Sequence, residues 1–260
     1  MLLAIDAGNT NIVFALLQGE EIVRKWRIAT NGDRTADEYM VWISQLMKLA
    51  GVSVEDITGA IIATVVPPTL HPLTLLCRRY FACEPVMVGE ADVDLGIENR
   101  TDAPREVGAD RLVNAVAAYD RLKEACIIID FGTATTFDVV AENGDYLGGV
   151  ISPGINLSVN ALYEAAAKLP RIAVEEPPEL RITGRNTLEA MQSGVFWGYV
   201  SLIEGIVGRI RAEQKNDAME VLATGGLAKV FFGKTDVIGD VDYDLTIRGL
   251  RLIYDRNKAA

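Results

Sequence analysis

Cysteine and histidine are scarce in this 260-residue chain, which contains three cysteines and one histidine. The cysteines form no CxxC pair, so the sequence predicts neither a disulfide scaffold nor a zinc site. His71 lacks a partner at catalytic spacing, and we expect it to lie in a loop or near a helix end. Unpaired cysteines in small number are typical of a reducing compartment, and the sequence therefore predicts a cytoplasmic protein.

Basic residues and long apolar runs are also in short supply. Lys and Arg number 25 against 36 Asp and Glu, which gives a formal net charge of −11. Nucleic acids and anionic membranes require a basic face, so we expect neither as a partner. No apolar run approaches the roughly 20 residues of a membrane span, and we expect no secretory leader. An anionic ligand must therefore be attracted by local positive groups.

Two segments of the chain share one pattern, in which a run rich in apolar residues ends in an aspartate and a glycine turn follows. The first copy is DAGNTN at residues 6–11, and the second is DFGTATT at residues 130–136. A β-hairpin is predicted after each copy, with its turn at residues 18–20 or 143–145. Because such glycine turns present backbone N–H groups to phosphate oxygens, the duplication predicts two related phosphate-binding halves.

Helices and further strands are predicted after both copies. Apolar periodicity indicates strands at 61–66 and 219–223, and helices near 35–50, 112–117, 188–206 and 244–256. Thr35 and Glu38 resemble a capping box, which predicts the start of the first of these helices. This alternation predicts an α/β fold with two ribonuclease H-like domains of the actin-like ATPase type, facing a central cleft. We place the boundary near Glu124, which gives an N-terminal domain of residues 1–124, including the linking helix, and a C-terminal domain of residues 125–260.

Three further motifs accompany the duplicated turns. They are PREVGADR at residues 104–111, GGVISPG at 148–154 and TGG at 224–226. In this order the five motifs resemble type III pantothenate kinases, members of the actin, Hsp70 and sugar-kinase superfamily. The resemblance spans nearly the whole chain, and residues 104–111 are its most specific part. It implies a homodimer that phosphorylates pantothenate to 4′-phosphopantothenate with ATP, the first step of coenzyme A biosynthesis.

The resemblance also implies which residues bind ATP and the cations. Asp6 is assigned to Mg²⁺, directly or through water, because magnesium in kinases keeps several waters and uses one or two protein carboxylates. Asp130 is assigned to a monovalent cation, K⁺ or NH₄⁺. The residues implied in ATP binding are Asp6, Ala7, Gly8, Asn9, Thr10, Asn11, Ile12, Val13 and Thr133.

The start of the linking helix carries the expected catalytic group. Asp110 is the candidate base that positions the acceptor hydroxyl and takes its proton, although an ordinary carboxylate pKa of about 3.9 makes it a weak base. Arg111 and Arg105 are candidates for binding the pantothenate carboxylate. The residues implied in substrate binding are Gly108, Ala109, Asp110, Arg111 and Thr187.

Several of these positions are also compatible with a purely structural role. Each aspartate loop is compatible with a simple turn, and Thr187 with a simple helix start. The TGG turn permits an adenine ring to approach the backbone, but glycines between a strand and a helix are also routine. Thr101 replaces the tyrosine with which some relatives contact pantothenate, which leaves that contact open. Gly194 and Gly198 favour close helix packing.

Two other functions stay open on the sequence. One is another small-molecule kinase or phosphatase of the same superfamily, acting on a sugar, acetate or polyphosphate, because the two loops themselves do not specify pantothenate. The other is a non-catalytic nucleotide-binding regulator. The carboxylates of Asp6, Asp110 and Asp130 favour a catalyst, because a protein that only binds nucleotide does not need a base.

Overall fold

The computed structural model describes residues 1–166 and 169–258. The described chain forms two compact units, the first from residues 1–121 and 244–258 and the second from residues 122–243. Each unit contains one mixed five-stranded sheet. The predicted α/β class is therefore confirmed. Among the described residues, no helix combines the length and apolarity needed to cross a bilayer.

The first sheet contains β1 (Leu2–Ala7), β2 (Asn11–Gln18), β3 (Glu21–Ala29), β4 (Gly59–Thr64) and β5 (Pro85–Met87), and the helices of this part of the chain are α1 (Ala36–Leu49), α2 (Pro67–Tyr80) and α3 (Ala109–Leu122). The strand order is β3-β2-β1-β4-β5. Strand β1 is antiparallel to β2 and parallel to β4, so the aspartate turn joins the central strand to its antiparallel neighbour.

Alternating side chains of β1 fill a core on each face of this sheet. Leu3 and Ile5 pack with residues of α1 and α2, whereas Leu2 and Ala4 face the other side. Helix α1 begins at the predicted capping box, in which Thr35 and Glu38 satisfy each other's backbone N–H groups. The central strand is thus buried on both faces, which fixes the position of the turn that follows it.

The second sheet contains β6 (Cys126–Phe131), β7 (Ala134–Val140), β8 (Tyr146–Pro153), β9 (Glu220–Gly225) and β10 (Asp240–Val241), and the helices of this unit are α4 (Ile155–Ala165), α5 (Thr187–Gln214) and α6 (Ala228–Phe231). The strand order β10-β9-β6-β7-β8 repeats the arrangement of the first sheet. Both predicted hairpins are confirmed, and the loop of the second one covers residues 141–145.

The last helix, α7 (Leu245–Lys258), belongs to the first unit. Its residues Ile247, Leu250 and Ile253 are buried in one core with Leu2 and Ala4 of β1. The structure thus differs from the predicted C-terminal domain of residues 125–260, which included this helix. The physical reason is that α7 covers the second face of the first sheet, and its apolar stripe alone does not say which sheet it covers.

Candidate active site

The first aspartate turn is a tight connection between β1 and β2. The Gly8 N–H donates to the Asn11 carbonyl oxygen at 3.0 Å. A Cβ on Gly8 would lie 3.3 Å from that same oxygen, a tight contact that would require the turn to shift by a few tenths of an ångström. Asn9 and Thr10 are exposed at the tip of the turn. The turn therefore presents backbone and polar side chains to solvent.

Asp6 is the penultimate residue of β1 and lies at the start of this turn. It is half-buried and pairs with Val13 on β2 and Ala63 on β4. The side chains of Ala7 and Ile12, two predicted ATP-binding residues, are fully buried in the core. Because each residue is 0% exposed as a whole, neither its side chain nor its backbone reaches solvent.

The end of β4 connects the first turn to the start of α3. The Val65 N–H donates to the Ala7 carbonyl oxygen at 3.1 Å. A Cβ built on Gly108 would lie 3.3 Å from Val65 Cγ1. The first unit therefore brings together two predicted elements, the loop at residues 6–13 and the motif at residues 108–111.

Asp110 folds back over the first turn of α3. Its Oδ1 atom accepts a hydrogen bond from the Arg111 N–H at 2.8 Å. A Cβ on Gly108 would lie only 2.6 Å from the same Oδ1 atom, so glycine at this position leaves room for the carboxylate. Arg111 is half-buried, whereas Arg105 is exposed in the short helical turn Pro104–Glu106. Of the two arginines, only Arg111 lies next to Asp110 in the helix.

The pKa of Asp110 differs from the ordinary value assumed from the sequence. Burial raises the pKa of this carboxyl group above its usual value, and the backbone N–H and positive charge of Arg111 offset only part of that rise. A carboxylate with a raised pKa accepts a proton more readily. The structure therefore makes Asp110 a stronger base than an exposed aspartate.

The second aspartate turn follows the same design in the second unit. The Gly132 N–H donates to the Ala134 carbonyl oxygen at 3.0 Å. At the end of β8, Gly154 lies so close to this turn that a Cβ would collide with the Thr133 carbonyl oxygen. The GGVISPG motif therefore has a packing role, which is to let the end of β8 approach the turn that carries Thr133.

Three oxygen-bearing residues occupy one row across the second sheet. Asp130 on β6 pairs with Thr136 on β7 and with Thr224 on β9. Directly paired residues of neighbouring strands project from the same face. Carboxylate and hydroxyl oxygens suit a hard cation, so this row fits the expected monovalent-cation ligands. Among the described residues, no three His, Cys, Asp or Glu side chains cluster as a metal site.

A fully buried carboxylate that the sequence analysis missed lies beside this row. Asp138 accepts hydrogen bonds from the Tyr146 hydroxyl at 2.7 Å and from the Thr136 hydroxyl at 3.0 Å. Each carboxyl oxygen therefore accepts a hydrogen bond from a hydroxyl donor, and the two donors lie on two strands. The signal in the sequence is an aspartate within the apolar run FDVV, where an exposed role is implausible.

The TGG turn uses its glycines in two different ways. Gly225 has φ +89°, and a Cβ on it would lie 2.6 Å from Asp130 Oδ1 and 2.7 Å from the Phe131 backbone. A Cβ on Gly226 would meet no heavy atom within 4 Å. Gly225 is thus required for packing against the second aspartate turn, whereas open space remains beside Gly226.

The remaining predicted positions have plain structural settings. Thr187 is the exposed first residue of α5, where Asn186 caps the helix by accepting the Glu189 N–H at 3.0 Å. Thr101 donates its hydroxyl to Asn99 Oδ1 at 2.8 Å. His71 is exposed within α2. None of these observations assigns a substrate contact.

Comparison with known proteins identifies relatives of this chain over its whole length. A family model for type III pantothenate kinases matches residues 2–209. A protein of Paramagnetospirillum magneticum named type III pantothenate kinase is 58% identical over 257 residues, which cover 99% of this chain and 98% of the relative. A Caulobacter vibrioides protein of the same name is 55% identical over 260 residues, covering 100% and 99%.

Solved structures show the same fold at low sequence identity. A Campylobacter jejuni protein provisionally assigned to the Baf family of transcriptional activators superposes with a TM-score of 0.60 at 19% identity, covering 99% of this chain and 100% of that one. MreB 5 of Spiroplasma citri, bound to AMPPNP, gives a TM-score of 0.56 at 11% identity, covering 99% and 97%. These likenesses confirm the predicted actin-like ATPase fold, and the family model and full-length relatives are more specific: this chain belongs to the type III pantothenate kinase family.

Proposed function

We propose that this chain transfers the γ-phosphoryl group of ATP to the primary hydroxyl of pantothenate, giving ADP and 4′-phosphopantothenate, the first step of coenzyme A biosynthesis. The observation that carries the proposal is Asp110, a half-buried carboxylate with a raised pKa at the start of α3, beside the first aspartate turn. The relatives that share 58% and 55% of its residues bear the name of this activity.

In the first unit, residues 6–13 bind the phosphates of ATP. The exposed Asn9 and Thr10 offer side chains and backbone, whereas the fully buried Ile12 supports the loop from the core. Asp6 at the strand end holds Mg²⁺, directly or through water. When bound, Mg²⁺ neutralises charge on the phosphate oxygens.

Asp110 acts as the base in this proposal. One carboxylate oxygen is bound by the Arg111 N–H. The other oxygen orients the pantothenate hydroxyl and accepts its proton as the phosphoryl group is transferred. Positioning supplies much of the rate, because phosphoryl transfer requires little covalent chemistry from the protein.

The remaining substrate contacts come from the residues around Asp110 and from the start of α5. Arg111 binds the pantothenate carboxylate, since a guanidinium matches a carboxylate with paired hydrogen bonds. Gly108 and Ala109 contribute backbone at the helix N-terminus, where N–H groups are available. Thr187 contributes its exposed hydroxyl.

In the second unit, Asp130 holds K⁺ or NH₄⁺ and Thr133 contacts ATP. The row of Asp130, Thr136 and Thr224 supports the cation assignment because all three side chains carry oxygen. A bound monovalent cation screens the Asp130 carboxylate from phosphate oxygens, which it would otherwise repel.

The proposal predicts pantothenate-dependent ADP formation that needs K⁺ or NH₄⁺. Purified full-length chain is mixed with ATP, Mg²⁺, pantothenate and K⁺, and ADP is followed. Replacing K⁺ by Na⁺ is expected to slow the reaction, because the smaller ion fits the oxygen ligands less well. ADP formation with a sugar or acetate but not with pantothenate would favour the other kinases of the superfamily. ATP binding without turnover on any of these acceptors would favour the regulator.

A homodimer is the second part of the proposal. On α5, Gly194 and Gly198 are exposed, and a Cβ on either would meet nothing within 4 Å. Among the described residues no neighbour packs against them, so the close helix packing expected from the sequence would be with a second copy of the chain. The second unit also exposes large aliphatic side chains, at Ile151, Leu157, Leu162, Leu180, Ile182 and Leu188. A second copy of the chain would cover such a surface.

Light scattering coupled to size exclusion tests the dimer. We expect a mass of twice the chain mass of 28.2 kDa. Gly198→Glu places a charge on the exposed face of α5 and is expected to shift the mass toward one chain, with an unchanged circular dichroism spectrum. A wild-type protein that elutes with the mass of one chain would contradict the dimer.

A cytoplasmic location completes the proposal. All three cysteines are free thiols. Burial, followed by the nearby charge of Glu124, raises the pKa of the Cys126 thiol to about 12, which keeps this group protonated and unreactive. Free thiols are typical of proteins in a reducing compartment.

A further inference from the structure

Thr30 makes two hydrogen bonds to the first aspartate turn, although no sequence motif includes it. It is half-buried and follows the last residue of β3. Its N–H donates to the Thr10 carbonyl oxygen at 3.0 Å. Its hydroxyl donates to the Gly8 carbonyl oxygen at 2.6 Å. The residue therefore joins the end of the hairpin to both sides of the turn tip.

The hydroxyl contact fixes a peptide group and not merely one oxygen. The peptide unit between Gly8 and Asn9 is trans, since the described chain contains no cis bond. In a planar trans peptide, the carbonyl of one residue and the N–H of the next point in opposite directions. Holding the Gly8 carbonyl toward Thr30 therefore directs the Asn9 N–H away from Thr30.

Gly8 is the residue for which such a restraint matters most. Glycine has the widest choice of backbone angles, and an unrestrained glycine peptide rotates easily. Here its N–H is held by the Asn11 carbonyl oxygen and its carbonyl by the Thr30 hydroxyl. The two bonds remove the freedom that the glycine would otherwise bring to the exposed tip at Asn9.

We propose that Thr30 is a positioning residue for nucleotide binding, whose hydroxyl orients the Asn9 N–H toward an oxygen of the β- or γ-phosphate of ATP. The inference rests on the proposed function, in which residues 6–13 bind the phosphates. Donors that are already aimed at their target bind more tightly, because no ordering remains to be done on binding. Without the hydroxyl, the peptide is free to rotate and the donor is no longer aimed.

The test compares Thr30→Val, Thr30→Ser and Thr74→Val in the full-length chain. Valine has the shape of threonine but lacks the hydroxyl, whereas serine keeps it. Thr74 is a matched control, since its hydroxyl also donates to a backbone carbonyl oxygen, that of Leu70 at 2.9 Å, on α2 and away from the turn. The dissociation constants of ATP and AMP and the melting temperature are measured for each variant. AMP lacks the β- and γ-phosphates.

We expect Thr30→Val to weaken ATP binding by about 3- to 10-fold, the usual effect of losing one hydrogen bond. AMP binding is expected to change less, and Thr30→Ser is expected to restore ATP binding. A melting temperature similar to that of Thr74→Val would show that the loss is not one of general stability. Unchanged ATP affinity in Thr30→Val, or equal losses for ATP and AMP, would overturn the inference.

A nuclear magnetic resonance titration of the wild-type protein tests the inference without any variant. The amide resonance of Asn9 is expected to shift when ATP is added and to shift less with AMP, and an unmoved resonance would overturn the inference. A wild-type chain that binds no ATP would overturn both this inference and the proposed function. If Thr30→Val weakens ATP binding and Thr30→Ser restores it, but the wild-type chain does not phosphorylate pantothenate, the inference is supported and only the proposed function fails.

Discussion

Asp110→Asn is expected to lower kcat for pantothenate phosphorylation by about 10²- to 10⁴-fold, the usual contribution of a general base. The asparagine oxygen still accepts the Arg111 N–H that now binds Asp110 Oδ1 at 2.8 Å, so the helix start keeps its structure. An amide, however, does not take up the proton of the acceptor hydroxyl. Steady-state kinetics measure kcat, and a direct titration measures ATP affinity, which we expect to change little.

The stability of the Asp110→Asn variant separates a lost base from a damaged fold. Because burial raises the folded-state pKa of Asp110, its stabilising contribution is present below the ordinary carboxylate pKa and is lost as the pH rises through the folded value. At neutral pH the charged carboxylate therefore destabilises the folded state. The neutral amide of the variant is expected to leave the melting temperature unchanged or to raise it. Asp102→Asn, at an exposed position, is the matched control. A near-normal kcat in Asp110→Asn would remove Asp110 from the role of base.

Gly225→Ala is expected to destabilise the second unit by about 2–4 kcal/mol, which combines left-handed backbone strain with overpacking. The residue has φ +89°, a conformation that alanine adopts only with strain. The new Cβ would also lie 2.6 Å from Asp130 Oδ1, so the carboxylate has to move. Urea unfolding measures the stability, and the ratio of rates in K⁺ and Na⁺ measures the effect at Asp130, which we expect to fall toward one.

The neighbouring glycine supplies the control for this substitution. A Cβ on Gly226 would meet nothing within 4 Å, so Gly226→Ala is expected to leave the free energy of unfolding nearly unchanged. Similar losses of stability in the two variants would contradict the packing role given to Gly225. A stable Gly225→Ala variant with wild-type dependence on K⁺ would contradict the placement of Asp130 against this turn.

Local patterns in the sequence were sufficient to predict the strands and hairpins of the two repeated segments. Apolar runs that end in Asp6 and Asp130 predicted the central strands, and the glycine turns predicted the hairpins that follow them. The capping box at Thr35 predicted the start of α1. These features depend on residues near one another in the chain, which is why sequence reasoning found them.

Features that depend on distant packing were not predictable in this way. Helix α2 was missed because Pro67 and Pro68 indicate the end of a strand, although proline is also well suited to the first turn of a helix. Helix α7 was assigned to the C-terminal domain but belongs to the first unit, since an apolar stripe does not identify the sheet that it covers. The presence of α2 and the unit to which α7 belongs could therefore be established only from the structure.

The candidate site shows the same division. The residue types around Asp110 were evident from the motif, but its raised pKa was not, because burial depends on the whole unit. Thr30 and Asp138 were missed because neither belongs to a motif and each acts through hydrogen bonds that only folding creates. Positioning residues of this kind are visible only when the turn and its neighbours are seen together.

Phosphorus NMR of the reaction mixture tests most directly whether this chain phosphorylates pantothenate at Asp110. Wild-type protein, ATP, Mg²⁺, K⁺ and pantothenate are incubated beside the same mixture made with Asp110→Asn. We predict a phosphate monoester resonance of 4′-phosphopantothenate, appearing with ADP in equal amounts, in the wild-type sample and almost none in the variant. ADP with inorganic phosphate and no ester in the wild-type sample, or equal ester in both samples, would contradict this mechanism.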